Sequence, residues 1–108
     1  MKAIQMTAIK ELNYVEVATP EPKEDEVLLE IKAVGICGSD IPRILKSGPH
    51  TLPIIPGHEF AGKVVGTGRK VKNWEIGDKA SAAPMIPCFE CEWCKKGIYS
   101  LCEDYQYY

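Results

Sequence analysis

The run PCFECEWCKKGIYSLC, residues 87–102, holds four of the five cysteines of this 108-residue chain. Cys88, Cys91, Cys94 and Cys102 are separated by two, two and seven residues. Two-residue gaps allow a turn to set consecutive thiolates around one point, as Zn–S bonds of about 2.3 Å require, and the longer loop returns the fourth sulfur. A disulfide framework fits less well. The cysteine count is odd, and the N-terminal MKAIQMTAIKELNYVEV lacks the apolar stretch and small-residue cleavage pattern of a secretory signal. The expected compartment is therefore the reducing cytoplasm, where clustered cysteines are more often metal ligands or redox groups. An iron–sulfur cluster also opens with two-residue gaps, but its next gap is usually shorter and followed by proline, and that cysteine serves a second cluster. Here Glu103 follows Cys102 and there is no second set, so the spacing favours zinc. With thiolates at all four positions no coordination site is left open. The ion is expected to be structural, and its loss to disorder the lobe around it.

The remaining sequence reads as one small, mainly β domain. Its 45% hydrophobic and 26% charged residues lie near ordinary averages, which argues against disorder, and no apolar run is long enough for a bilayer. The net charge is −2 and no basic block exceeds Lys95-Lys96, so neither nucleic acid nor membrane is an expected partner. Alternating patterns over residues 12–17, 26–36, 60–65 and 79–83 predict strands. In the second of these, Val27, Leu29, Ile31 and Ala33 share one face and Leu28 and Val34 the other, which predicts cover on both sides. Ser39-Asp40 before Ile41, Pro42, Arg43, Ile44 and Leu45 predicts a short helix ended by Gly48-Pro49. Gly66 and Gly68 read as a hairpin turn rather than a nucleotide fingerprint, because the third glycine and a following helix pattern are missing. Short strands with Gly and Pro turns and little helix predict a partly open β-barrel.

The fifth cysteine, Cys37 in GICGSD, precedes the pair His58-Glu59 in PGHEF by 21 residues. Taken alone, a cysteine there is a small buried hydrophobe. Thiolate, imidazole and carboxylate together are the ligand types of a catalytic zinc, which keeps an open position for water or substrate. Gly35, Gly38, Gly57 and Gly62 would let the backbone crowd around such an ion. Asp40 either accepts a hydrogen bond from the other ring nitrogen of His58 or caps the helix. Ser39 is either a proton carrier between a zinc-bound oxygen and solvent or a second cap.

GICGSD, GHEFAGKVVGTGRKV, the pair Gly77-Asp78 and CFECEWCKKGIYSLC follow one another along the chain. In this it resembles the N-terminal, GroES-like catalytic domain of the zinc-containing medium-chain alcohol dehydrogenases, with Gly57, His58, Glu59, Gly62, Gly68 and Val71 in register with the family's zinc signature. The resemblance implies a GroES-like barrel with a structural-zinc lobe at 84–105, Cys88, Cys91, Cys94 and Cys102 being its ligands. It implies Cys37 and His58 as ligands of a catalytic zinc, Glu59 as a direct or water-bridged one, and Ser39 in a proton relay. Chemically it implies a zinc ion acting as a Lewis acid on a substrate hydroxyl while hydride passes to NAD or NADP. CGSD and GHE resemble the polyol dehydrogenase branch, and GICGSDIPRILKSGPH with PMIPCFECEWCKKGIYSLC resembles the galactitol-1-phosphate 5-dehydrogenases. Pro42-Arg43 stands where many sorbitol-type relatives carry a histidine. Arg43, Lys46 and His50 are thus candidates for phosphate recognition, or else a solvated helix face. Family members carry a Rossmann domain and a further zinc ligand downstream, so residues 1–108 are expected to be a fragment of a two-domain, homo-oligomeric enzyme. Alone it is expected to be inactive and to hold the catalytic zinc weakly. The alternatives are a sorbitol- or threonine-dehydrogenase-like member of the superfamily and a non-catalytic, zinc-stabilised binding module.

Overall fold

A computed structural model describes residues 1–107. Strands β1 (Lys2–Ala8) and β2 (Glu11–Glu16) form an antiparallel hairpin whose tight turn places Lys10 at φ 66°. Strands β3 (Val27–Val34), β4 (Phe60–Thr67) and β5 (Lys79–Ser81) form an antiparallel sheet with β4 in the centre. Residues of β4 alternate in burial, as one covered face requires, and Val64 is fully enclosed. Strands β6 (Met85–Ile86) and β7 (Gln106–Tyr107) make a ribbon of two residue pairs at the base of the cysteine-rich lobe.

The mainly β expectation is met, and the fold is open. Its sheets remain separate, and the radius of gyration is 15.7 Å, against about 13 Å for a compact chain of this length. Met6, Val64, Cys94 and Cys102 are the buried apolar side chains among the described residues. The expected two-sided cover of β3 is not found. Val27, Leu28 and Leu29 are half-buried, but Ile31 and Val34 are exposed because nothing described packs over the strand's second half. The turn expected at Gly66 and Gly68 comes slightly later. Gly66 pairs with Leu28 inside the ladder, whereas Gly68 opens a turn closed by the Val71 N–H on its carbonyl at 3.0 Å, and a loop then leads back to Val64 at Gly77–Asp78.

The expected helix keeps its bounds, ending at Gly48, but winds wider than its sequence pattern. Helix α1 spans Asp40–Pro42 and passes into a wide turn over Arg43–Ser47, closed by the Gly48 N–H on the Arg43 carbonyl at 2.9 Å. The long connection that follows is tied to β1 by reciprocal Met6–Ile54 backbone bonds of 2.8 and 3.0 Å. This tie fixes the approach of Gly57 and His58 to β4. Among the described residues no helix is long and apolar enough to cross a membrane.

Candidate metal centres

The four clustered cysteines converge from three local structures. Cys88 follows β6, Cys91 and Cys94 lie at the start and inside of helix α2 (Glu92–Lys95), and Cys102 ends a 3-10 turn over Tyr99–Leu101. All four are free thiols whose sulfurs lie within 4.8 Å of one another, so the disulfide reading is excluded. The Cys88 and Cys94 sulfurs are 3.9 Å apart, close to the edge of about 3.8 Å that a tetrahedron with zinc–sulfur bonds of about 2.3 Å has. The Cys91 N–H donates to the Cys88 sulfur at 3.3 Å and the Cys88 N–H to the Cys102 sulfur at 3.2 Å, which orients both sulfurs toward the cluster. The donor set therefore fits a zinc ion.

The thiols differ in how readily they ionise. Backbone N–H groups of Glu103 and Cys94 lower Cys91 to about 6, whereas burial and the neighbouring thiols push Cys94 up to about 12. Cys91 is thus largely ionised at pH 7.5 and Cys94 is protonated. Zinc uptake at that pH is expected to release fewer than four protons, the number rising as the pH falls through 6 and Cys91 protonates as well. Affinity should weaken in the same direction, since more protons must be displaced. Indicator-dye titration would test this, and a release of four protons at pH 7.5 would count against it.

A second cluster forms where β3 ends and β4 begins. Because Val34 pairs with Phe60, the residues just beyond these two positions stand side by side, and the Gly35 N–H extends the ladder to the Glu59 carbonyl at 2.6 Å. The ligand atoms of Cys37, His58 and Glu59 consequently lie within 4.8 Å of one another. This set also fits zinc, with three ligands of the kinds a catalytic ion takes. Buried Asp40 serves both ligands. Its Oδ2 accepts the Cys37 N–H at 2.9 Å and its Oδ1 lies 3.4 Å from His58 Nδ1. That contact leaves His58 Nε2 for an ion. Ser39 occupies the cap position of α1 without making a side-chain cap bond. Of the four glycines expected to crowd this centre, Gly35 does, against Glu59. Gly57 abuts Val34, Gly38 has open space around it, and Gly62 is pressed against the Glu30 carbonyl of β3.

Ser39, Asp40 and His58 open onto a cavity of about 330 Å³ whose other walls include Arg43, Ile54 and Tyr107. Among the described residues Arg43 has no carboxylate partner, whereas Arg69 is paired with Glu24. Lys46 and His50, the other phosphate candidates, do not line this cavity. Tyr107 does, and the sequence reading missed it. Its place depends on the pairing of β7 with β6, for which two-residue strands leave no periodic signal.

An open β module that brings together a four-sulfur cluster and a separate three-ligand cluster beside a cavity has the donor sets of a metal-binding domain. The chain belongs to the alcohol dehydrogenase GroES-like domain family, which matches residues 23–108. It is 43% identical over 97 residues to galactitol 1-phosphate 5-dehydrogenase of Escherichia coli (strain K12), covering 89% of this chain and 28% of that protein. It is 38% identical over 111 residues to sorbitol dehydrogenase of Bacillus subtilis (strain 168), covering 99% and 31%. The crystal structure of galactitol-1-phosphate dehydrogenase from Escherichia coli superposes with a TM-score of 0.93 at 40% identity, covering 100% of this chain and 32% of that one. The chain therefore spans less than a third of the relatives it matches.

Proposed function

We propose that this chain is the substrate- and zinc-holding part of a dehydrogenase that oxidises a sugar alcohol, or its phosphate, to a ketose with a nicotinamide as hydride acceptor. The supporting observation is the cluster of Cys37, His58 and Glu59, whose His58 lines a cavity that also presents Ser39 and Arg43, the latter without a carboxylate partner among the described residues. Cys37, His58 and Glu59 would hold a zinc ion, which supplies Lewis-acid polarisation of the substrate hydroxyl when bound. The chain's own groups do the rest. Asp40 orients His58 and fixes the backbone of Cys37. Ser39 passes the hydroxyl proton toward solvent, and the apolar wall at Ile54 restricts water. The nicotinamide would be held elsewhere in the longer protein, since no glycine-rich strand-turn-helix is present among the described residues. Cys88, Cys91, Cys94 and Cys102 would hold a second, structural zinc.

Arg43 supports a phosphorylated substrate. It projects into the cavity from the turn after Ser39 and offers a bidentate fork with no competing carboxylate. The similarity to sorbitol dehydrogenase along nearly the whole chain favours an unphosphorylated polyol as the second reading. Steady-state oxidation of galactitol 1-phosphate, galactitol and sorbitol by the full-length protein decides between them. Arg43→Ala is expected to lower the preference for the phosphorylated substrate about 10- to 100-fold, the loss of charge-assisted hydrogen bonds. An unchanged preference would remove the role of Arg43, faster oxidation of the free polyols by the unaltered protein would favour the second reading, and no oxidation of any polyol would remove both. The present chain alone is expected to be inactive.

A further inference from the structure

We infer that Gly35 is a positioning residue for Glu59, the lack of a side chain at Gly35 being what allows the Glu59 carboxylate to lie beside Cys37 and His58. The inference rests on the proposal that these three ligands hold an ion.

Gly35 and Glu59 are backbone neighbours, locked by the 2.6 Å bond from the Gly35 N–H to the Glu59 carbonyl. A methyl group on Gly35 would stand 2.5 Å from Glu59 Oε2 and 3.1 Å from Glu59 Cβ. Backbone torsion is not the reason for glycine here. The glycines with positive φ are Gly48, Gly57, Gly77 and Gly97, so Gly35 adopts a conformation open to any residue. What excludes a Cβ is the Glu59 side chain itself. Gly62 makes the contrast, because there a methyl group would meet the Glu30 carbonyl, which is backbone and cannot yield. At Gly35 the obstacle is mainly the far end of a flexible side chain, so alanine displaces the carboxylate rather than the sheet.

Among the described residues nothing else holds that carboxylate. Glu59 is exposed, and its carboxylate oxygens make no hydrogen bond or ion pair. Cys37 and His58, by contrast, are both fixed through Asp40. The third ligand therefore owes its place to the space above Gly35.

The test is zinc uptake by the purified full-length protein, with chelator competition separating two ions and the four-cysteine ion serving as internal standard. In Gly35→Ala the four-cysteine ion should bind as before, while the second ion binds about 10- to 100-fold more weakly, the usual loss when a ligand's support is removed. In a Glu59→Ala background, Gly35→Ala should cost nothing further. Unchanged affinity of the second ion in Gly35→Ala would overturn the inference. So would an equal loss with and without Glu59, which would place the effect in the backbone at Cys37. Should Gly35→Ala not fold, the double variant Gly35→Ala/Glu59→Ala decides: restored folding supports the clash with Glu59, and failure overturns it. Uptake of only one ion by the unaltered full-length protein would remove the three-ligand site and this inference together. Two ions with Gly35→Ala unaltered would remove this inference alone.

Discussion

Stripping the ion from the four-cysteine lobe, or replacing Cys94 with serine, is expected to unfold residues 88–102 while the β3–β4–β5 sheet stays folded. The lobe has almost nothing else to hold it. Cys94 and Cys102 are its buried residues, while Phe89, Ile98, Tyr99 and Leu101 are exposed. Its helical pieces are four and three residues long, too short to persist alone. Apparent zinc-binding energies of roughly 10 to 16 kcal/mol in small zinc-folded units exceed anything such contacts supply. Without an ion, the buried Cys94 thiol stays protonated, and the sulfur cluster loses the charge that orders it. Hydrogen exchange resolved by peptide would show lost protection at 88–102 and retained protection in β4. Full protection of the lobe after chelation would contradict the argument.

The second large effect is expected at His58. In the full-length protein, His58→Ala should lower polyol oxidation by about a thousandfold or more, because polarisation by the ion accounts for several kcal/mol of the barrier. Zinc content should fall from two ions to one, with the four-cysteine ion retained. The fold should survive, since the His58 side chain is 26% exposed and carries no core packing. A His58→Ala protein that keeps both ions, or keeps its activity, would show that the cluster is not the reacting centre.

The two centres were legible in the sequence to different degrees. Cys88, Cys91, Cys94 and Cys102 are close along the chain, so local turns bring them together and spacing alone reveals the set. Cys37, His58 and Glu59 could be grouped by ligand type, but the cause of their meeting, the register of Val34 against Phe60, is a long-range pairing that no local pattern encodes. Of the two readings of Asp40, the partner of His58 is found and the helix cap is not, because its other oxygen holds the Cys37 N–H, which lies before the helix. Burial was the least readable property. An alternating strand announces which residues share a face but not whether anything covers it, and Ile31 and Val34 are uncovered here. Helix bounds were legible from Asp40 to Gly48, but its winding was not, because the turn widens after Pro42 around Arg43–Ser47.

Asp40 also limits how this centre can vary. One small carboxylate is yoked to ligands drawn from opposite ends of a 21-residue excursion, gripping the main chain of Cys37 with one arm and the ring of His58 with the other. Neither ligand can drift without dragging its mate. A change of ion radius or donor geometry must then be absorbed by Glu59, the one member of the trio left outside the yoke.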